Sequence, residues 1–296
     1  MRENLENIKI QQLPTASAGK IHVDLLRLDL LHPVVSGNKW FKLQFYLEEA
    51  LALGKKTIAS FGGAYSNHIV ATACAASALG LKSMGFIRGY GTEEDSPTLA
   101  DARQYGMKLH FINREDYRNK AAIKAQYDAP EIYWIMEGGY GIPGALGAAE
   151  ILNIADTSAY SHFVCAVGTG TMMAGLVKNI KPGQQVTGIS VLKNHYGLEE
   201  EIRHLLTETE NNKKFSLHHD YHFGGYAKQT AVLFDFMKEL WQKERVPTDI
   251  IYTSKLLYAS FDLLKQQYFP VGSRVLIIHS GGLQGNRSLP AGKLPF

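Results

Sequence analysis

The sequence predicts an α/β fold in which parallel strands are joined by crossover helices. Along the 296 residues, apolar runs rich in β-branched residues alternate with longer stretches of helical periodicity, and this alternation is typical of βαβ units. Glycine-dense turns follow several of the apolar runs, at the position where α/β proteins build ligand sites. No repeat and no Pro/Ser-rich linker divides the chain, so we expect any second domain to be an inserted segment.

The pattern predicts strands with helices between them. The strands cover residues 57–61, 82–87, 108–112, 132–136, 162–167, 185–191 and 274–279. The helices cover residues 38–53, 69–79, 96–105, 115–126, 144–152, 172–180, 198–207, 228–243 and 256–267. Asn38 is expected to cap the first helix and Gly54 to end it, whereas Ser66 or Asn67 caps the second helix, which Gly80 closes.

The composition excludes several classes of protein. The formal net charge is +3, hydrophobic residues make up 45% and charged residues 20%, as in ordinary globular domains. Because no dense Lys/Arg block is present, we expect no nucleic-acid partner. The first twelve residues hold no apolar run, and no segment approaches the roughly 20 apolar residues that span a bilayer. The sequence therefore predicts a cytoplasmic protein without a membrane partner, and Cys74 and Cys165 are interpreted as small buried side chains.

Several catalytic and metal-binding signatures are missing from the sequence. It contains no Walker A motif, no H-E-x-x-H, no C-x-x-C and no G-x-S-x-G. The histidine-rich segment 218–222 follows a strand-like pattern, so its histidines are not expected to form a helical i, i+4 pair, and we predict no metal site there. Residues 168–170, Gly-Thr-Gly, open like a dinucleotide-binding fingerprint, but Met173 stands where the third glycine belongs. A nucleotide-dependent oxidoreductase therefore stays only as an alternative.

The Gly-Thr turn, residues 168–171, is the strongest candidate for a ligand site. It follows a predicted strand and leads into a predicted helix. Its glycines let backbone N–H groups approach an anion, its hydroxyls can donate, and the helix dipole favours negative charge. Without a lysine in the turn, these four residues predict a site for a phosphate monoester rather than a nucleoside triphosphate. A plain strand-to-helix turn is the alternative interpretation.

Three further features could belong to the same site. The polar triplet Ser66, Asn67 and His68 stands at a predicted helix start, where a carboxylate could bind, although an ordinary capped helix has the same pattern. Ser280 follows the last predicted strand, where a lone serine is usually structural. Lys39 lies among aromatic residues, and a partly desolvated lysine has a lowered pKa and becomes a nucleophilic amine.

In their order along the chain these segments resemble a pyridoxal-phosphate enzyme of the tryptophan synthase β fold. The resemblance is to the group that contains D-cysteine desulfhydrase and 1-aminocyclopropane-1-carboxylate deaminase. It covers residues 29–285 and is carried by SGNKWFKLQFYLEEA, GGAYSNH, AVGTGTMMAGL, MEGGYGIPGALGAAEI, DIIYTSKLLYA and IIHSGGLQG. It implies two open twisted sheets flanked by helices in a homodimer. Residues 1–42 and 155–296 would form a large cofactor-binding domain, with 43–154 as an inserted small domain.

The resemblance also implies how pyridoxal 5′-phosphate is held. Lys39 corresponds to the lysine that forms the Schiff base with the cofactor and then acts as general base at the substrate Cα. Asn67 corresponds to the partner of the cofactor's 3′-oxygen, and Gly168, Thr169, Gly170 and Thr171 to the phosphate ligands. Ser280 corresponds to the group near the pyridine nitrogen.

The substrate side of the site is implied in the same way. Ser66 corresponds to the ligand of the amino-acid carboxylate, with Asn67 and His68 in the same triplet. Tyr226 and Tyr252 align with two active-site tyrosines that orient or protonate a leaving group.

The chain departs from the family pattern around the substrate. Tyr65 stands where Gln is usual, Trp40 and Phe41 replace a polar and a basic residue, and Val70 takes the place of a frequent Arg. These replacements change the floor and polarity of the expected pocket.

Two hydroxyl residues favour the desulfhydrase branch of the family. Thr253 stands where the cyclopropane deaminases carry Glu, and Ser280 stands where they carry Leu. We therefore predict α,β-elimination from a small amino acid, with D-cysteine giving pyruvate, ammonia and sulfide. Deamination of 1-aminocyclopropane-1-carboxylate is the alternative within the family, and a non-catalytic sensor of a phosphate-bearing ligand is the alternative from another class.

Overall fold

The computed structural model describes residues 5–16, 20–91 and 94–296; the first four residues of the segment searched for a leader lie outside these ranges. Its strands are β1 (Ile10–Gln12), β2 (His22–Arg27), β3 (Thr57–Gly62), β4 (Lys82–Arg88), β5 (Met107–Ile112), β6 (Ile132–Ile135), β7 (His162–Val167), β8 (Gln185–Ser190), β9 (Phe215–His218) and β10 (Arg274–His279). Its α-helices are α1 (Asn38–Ala52), α2 (Asn67–Ala78), α3 (Pro97–Gln104), α4 (Lys120–Tyr127), α5 (Ile142–Ala149), α6 (Thr171–Asn179), α7 (Leu198–Arg203), α8 (Ala231–Glu244) and α9 (Thr253–Lys265).

The strands form two sheets. The larger sheet has the order β1-β2-β10-β7-β8-β9, and the smaller sheet has the order β5-β4-β3-β6. Neighbouring strands are parallel, except that β1 pairs antiparallel with β2. In a parallel sheet the carboxyl ends of the strands share one edge. The turns after β7 and β10 begin at this edge of the larger sheet, and the turn after β3 begins at the same edge of the smaller sheet. The α/β prediction is confirmed.

All seven predicted strands are present, and β1, β2 and β9 add to them. β2 does not follow a simple apolar pattern because it contains Asp24 and Arg27, which are nonetheless buried. Arg27 is paired with Asp29 at 2.6 Å, and Asp24 accepts a hydrogen bond from Tyr160 at 2.8 Å. Buried charges of this kind are tolerated because they have partners. Asp29 lies two residues after Arg27, whereas Tyr160 is 136 residues from Asp24.

Helix starts differ most from the predictions. The cap of α1 is Gly37, not Asn38, because φ at Gly37 is +62° and the Asn38 side chain points to Met172 and Lys39 instead. Ser66 caps α2 as predicted, with its hydroxyl oxygen accepting from the Ile69 N–H. The helix predicted from residue 115 begins only at α4, where the Asn119 side chain caps it.

A single hydrophobic cluster connects the two sheets. It contains side chains of α1, α2, α5 and α6 together with Ile58 and Ile135 of the smaller sheet and Phe163 and Leu276 of the larger sheet. Helices α2 and α6, which follow glycine-dense turns in the smaller and the larger sheet, therefore pack in one continuous core. Strands β3 to β6 all fall within the predicted insert 43–154, whose boundaries stay a prediction. Within the described ranges, no helix is both long and apolar enough to cross a bilayer.

Candidate active site

Lys39 lies in the first turn of α1, against the segment that follows β10. That segment, residues 280–282, is called the Ser280 segment. The Asn38 N–H donates to the Ser280 carbonyl oxygen at 3.0 Å. A Cβ added to Gly37 would lie 1.7 Å from the same oxygen, so only glycine permits this approach. The chain thus places Lys39 beside Ser280, although 241 positions separate them.

The amine of Lys39 is in a state suited to nucleophilic chemistry. Its Nζ donates to Asn38 Oδ1 at 2.8 Å. Burial lowers the pKa of Lys39 to about 8, and the negative charge of Asp249 offsets part of that effect. A lysine with a pKa near neutrality carries a useful fraction of free amine at physiological pH.

A second lysine, Lys42, lies on the same face of α1, three residues after Lys39. It is buried, and its Nζ donates to the Gly138 carbonyl oxygen at 3.2 Å. Burial, and next the charge of Lys39, hold the pKa of Lys42 well below its usual range. Sequence analysis missed this residue, although the i, i+3 spacing placed both amines on one helix face.

The Gly-Thr turn lies close to Lys42. A Cβ added to Gly138, the residue that accepts from Lys42, would lie 2.9 Å from Thr169 Cγ2. Thr169 Oγ1 and Thr171 Oγ1 are 3.0 Å apart, and Gly170 takes the left-handed conformation with φ of +77° as the cap of α6. Free N–H groups of a first helical turn, two hydroxyls and the nearby Lys42 amine together can bind an anion.

The residues of the polar triplet at the start of α2 make different contacts. Asn67 Nδ2 donates to the Gly282 carbonyl oxygen at 3.1 Å, which joins α2 to the Ser280 segment. Asn67 Oδ1 is buried and has no hydrogen-bond partner among the described residues. The Ser66 hydroxyl is half-buried at the helix start, where the unpaired N–H groups favour an anion.

His68, the third member of the triplet, is buried. A hydrogen bond of 2.8 Å joins its Nε2 to the Ser60 hydroxyl, and its Nδ1 has no partner among the described residues. Burial and the charges of Lys39 and Lys42 hold the pKa of His68 well below its usual range. His68 is therefore a neutral side chain beside the two amines.

Tyr252 and Tyr226 lie together beside the Gly-Thr turn. Tyr252 lies at the start of α9, and a Cβ added to Gly168 would be 3.2 Å from its Cε1. The rings of Tyr226 and Tyr252 are 6.2 Å apart in an edge-to-face arrangement. Burial holds the pKa of Tyr252 well above its usual value, and the neighbouring Tyr226 adds to this effect, so the phenol stays protonated and able to donate.

Asp249, which sequence analysis missed, fixes Tyr252. It is fully buried, and its carboxylate accepts from the backbone N–H groups of Ile251, Tyr252 and Thr253 and from the Thr253 hydroxyl, at 2.7 to 3.2 Å. An aspartate a few residues before a helix start is a recognisable turn signal. The Thr253 hydroxyl is thereby committed to Asp249.

Charged residues line the rim between the sheets. Arg88, at the end of β4, has its Nη2 3.9 Å from a Cβ added to Gly63 and its guanidinium 5.8 Å from the Tyr117 ring centre. Lys120 pairs with Glu137 at 3.0 Å. Among the described residues, no group of three or more His, Cys, Asp or Glu side chains is arranged to hold a metal ion.

The structure thus brings the predicted residues into one region: Lys39, Ser66, Asn67, His68, Gly168, Thr169, Gly170, Thr171, Tyr226, Tyr252 and Ser280. They come from the ends of β3, β7 and β10, the starts of α1, α2, α6 and α9, and the turn before α8. The arrangement combines a lysine amine of lowered pKa, a turn that can bind an anion, the start of α2 and protonated phenols.

Comparison with known proteins finds relatives that match most of the chain. A family model described as pyridoxal-phosphate dependent enzyme matches residues 6–281. A putative 1-aminocyclopropane-1-carboxylate deaminase of Thermotoga maritima is 29% identical, over 88% of this chain and 88% of its own length. A bifunctional D-cysteine desulfhydrase/1-aminocyclopropane-1-carboxylate deaminase of Arabidopsis thaliana is 28% identical, over 85% of this chain and 70% of its own length.

Among solved structures, a homologue of 1-aminocyclopropane-1-carboxylate deaminase superposes with a TM-score of 0.81 at 25% identity. The match covers 95% of this chain and 90% of that one. The two-sheet architecture implied by the resemblance is therefore confirmed.

Proposed function

Because the chain belongs to the pyridoxal-phosphate-dependent enzymes, we propose that it catalyses the α,β-elimination of D-cysteine. In this reaction the Cα–H and Cβ–S bonds break, and D-cysteine and water give pyruvate, ammonia and hydrogen sulfide. The observation that carries the proposal is the Lys39 amine, with its pKa lowered to about 8, next to the Ser280 segment. Such an amine can hold an aldehyde and can accept the proton of a substrate Cα.

The residues present fit the cofactor. The Gly-Thr turn and Lys42 would hold its phosphate, since the turn supplies N–H and hydroxyl donors and the Lys42 amine supplies further N–H donors. Asn67 keeps a buried carbonyl oxygen without a partner and a second N–H for the ring substituents. Lys39 would bind the aldehyde. Ser280 would face the ring nitrogen, where a hydroxyl tolerates an uncharged ring.

Bound at these residues, pyridoxal phosphate supplies an electron sink for the electrons of the broken Cα–H bond. Lys39 then holds the proton that leaves Cα. Ser66, with the N–H groups of α2, binds and orients the substrate carboxylate. The Tyr252 hydroxyl, kept protonated by burial, donates a proton or a hydrogen bond to the departing sulfur, and Tyr226 orients it.

Deamination of 1-aminocyclopropane-1-carboxylate is the second candidate. Several relatives carry that activity in their names, and the plant relative carries both activities. The residues that favour D-cysteine are Thr253 and Ser280, which replace the Glu and Leu of the cyclopropane deaminases that the sequence resembles. Thr253 carries no carboxylate, and its hydroxyl donates to Asp249 at 2.7 Å. This position therefore presents no ionised group to the substrate.

Substrate turnover distinguishes the candidates. Purified holoenzyme is assayed for pyruvate release from D-cysteine, L-cysteine, D-serine and 1-aminocyclopropane-1-carboxylate, with sulfide measured in parallel for the thiols. We expect D-cysteine to give equimolar pyruvate and sulfide at the highest kcat/KM, and the Lys39→Ala variant to give neither. Turnover of the cyclopropane amino acid alone would reverse the choice of branch.

We retain as proposals the homodimer that the resemblance implies and the cytoplasmic location that the composition predicts. Light scattering at several protein concentrations tests the dimer, and fractionation of cells that express the natural gene tests the location.

A further inference from the structure

Lys255 is a buried lysine to which the proposed mechanism gives no task. It lies in α9, and its side chain is fully buried. Its Nζ donates to the carbonyl oxygen of Gly225 at 2.8 Å and lies 3.4 Å from that of Val191, just after β8. Burial lowers the pKa of Lys255 to about 8, and the charge of Asp249 offsets part of this. Burying an ammonium is unfavourable unless it is well paired, so the two carbonyl oxygens are its specific hydrogen-bond acceptors.

The stronger of the two acceptors immediately precedes Tyr226. The Tyr226 turn, residues 223–228, has positive φ at Phe223 (+50°), Gly224 (+89°), Gly225 (+128°) and Ala227 (+54°). Left-handed conformations are unfavourable at a non-glycine residue. A turn of this kind keeps its shape only when tertiary contacts fix it. The Gly225 carbonyl is such a point, because it accepts from Lys255 and from the Lys228 N–H at 3.3 Å.

We propose that Lys255 is a positioning residue that holds the Tyr226 turn against α9 and thereby keeps the Tyr226 hydroxyl beside Tyr252. The inference rests on the proposed function only in assigning Tyr226 to the substrate. The anchoring of the turn does not depend on which substrate binds.

The two tyrosines then have separate buried anchors of opposite charge. Asp249 holds the backbone of Tyr252 through N–H groups, and Lys255 holds the backbone before Tyr226 through a carbonyl. Each charge binds main chain, so neither occupies the substrate space. Because Tyr226 is 43% exposed, its position depends partly on how the backbone of its turn is held.

The anchoring is tested by hydrogen–deuterium exchange on the full-length holoenzyme. Lys255→Met removes the ammonium and keeps a long side chain, whereas Lys255→Gln keeps an N–H donor. Lys265→Met, at the exposed end of the same helix, is the control. We expect amide exchange across residues 222–230 to rise at least severalfold in Lys255→Met, less in Lys255→Gln, and not in Lys265→Met. Unchanged exchange in Lys255→Met would overturn the proposal.

The link to Tyr226 is tested by a double-mutant cycle. With the amino acid that the wild type turns over best, we expect Lys255→Met to lower kcat about as much as Tyr226→Phe does, with a smaller change in KM. In the Tyr226→Phe background, Lys255→Met should change kcat by less than twofold. Equal losses in both backgrounds would show that Lys255 acts independently of Tyr226 and would overturn the proposal.

Two further outcomes are decisive. If both Lys255 variants lose the whole fold, measured by circular dichroism and by cofactor absorbance, Lys255 is a general stability residue and the proposal is wrong. If the wild type releases pyruvate from none of the four amino acids, the proposed function fails. The exchange experiment still decides the role of Lys255 in that case, because it needs no substrate.

Discussion

The side-chain amide of Asn67 donates to the carbonyl oxygen of Gly282 at 3.1 Å, across a sequence separation of 215 residues. Asn67 begins α2, which packs on β3 and β4 of the smaller sheet, whereas Gly282 follows β10 of the larger sheet. This hydrogen bond therefore joins the start of α2, where we propose that the substrate carboxylate binds, to the Ser280 segment next to the first turn of α1. The predictions below depend on this assembly of the site from distant turns.

Gly282→Ala is predicted to weaken cofactor binding. Its Cβ would lie 2.6 Å from Asn67 Nδ2, and the residue has φ of +78°. Gly292→Ala is a matched control, because Gly292 has φ of +75° and nothing within 4 Å of the added Cβ. Both variants carry the same backbone strain, so we expect only Gly282→Ala to lose affinity, by about tenfold or more, equivalent to roughly 1.4 kcal/mol. Equilibrium dialysis with pyridoxal phosphate measures it, and equal affinities would contradict the role of the Asn67 contact.

Gly170→Ala is predicted to weaken recognition of the cofactor's phosphate in particular. The added Cβ would lie 2.6 Å from Ile202 Cγ1, in a residue with φ of +77°, and would displace the Gly-Thr turn. Gly183→Ala, with φ of +88° and free space around it, is the control. We expect the affinity for pyridoxal phosphate to fall about tenfold, while the affinity for pyridoxal, which lacks the phosphate, stays unchanged. A parallel loss for both compounds would place the phosphate elsewhere.

The free amine of Lys39 is predicted to titrate at about pH 8 in the cofactor-free protein. Burial lowers its pKa, and only the unprotonated amine reacts with an acylating reagent, so labelling of Lys39 rises with pH and is half-maximal near pH 8. Trace acetylation followed by peptide mass analysis measures this, with the exposed Lys124 in the same sample used to normalise the reagent. A midpoint near 10.5, the ordinary value for lysine, would contradict the buried amine.

Lys39 is also predicted to carry the cofactor covalently. After borohydride reduction of the holoenzyme, we expect the cofactor mass on the peptide that contains Lys39. Lys39→Ala should remove that adduct and lower turnover by about 10³-fold or more, whereas Lys124→Ala should change neither. Retained turnover in Lys39→Ala would exclude this residue as the catalytic amine.

Tyr252→Phe is predicted to lower kcat by about 10²-fold, the usual contribution of a positioned proton donor. Burial keeps the phenol protonated, and the substitution removes the hydroxyl while keeping the ring beside Gly168 and Tyr226. Tyr258→Phe, in α9, is the control, because it keeps the ring that packs on Phe223 and Phe236 and removes a hydroxyl to which the proposed mechanism gives no task. Steady-state kinetics measure both variants, and an unchanged kcat in Tyr252→Phe would remove the hydroxyl from the mechanism.

The sequence by itself determined the α/β class, seven of the strands (β3 to β8 and β10) and the turns that hold the candidate ligand-binding residues. These follow from local signals: β-branched runs, glycines after strands, and a serine whose hydroxyl caps α2. The resemblance in the order of those turns also indicated Lys39 and the Gly-Thr turn. The short edge strand β1 and its neighbour β2 escaped prediction, because β1 has only three residues and β2 carries buried charges that are paired by Asp29 and by the distant Tyr160.

Only the tertiary structure decided how the turns meet. Lys42, Asp249 and Lys255 carry no distinctive local pattern for a ligand site, and their importance follows from burial, which makes a charge costly unless it is paired. The approach of Gly37 to Ser280 and the Asn67–Gly282 hydrogen bond join residues more than 200 positions apart. Such contacts depend on the packing of two sheets around one core, and hydrophobic periodicity along the chain does not encode that geometry.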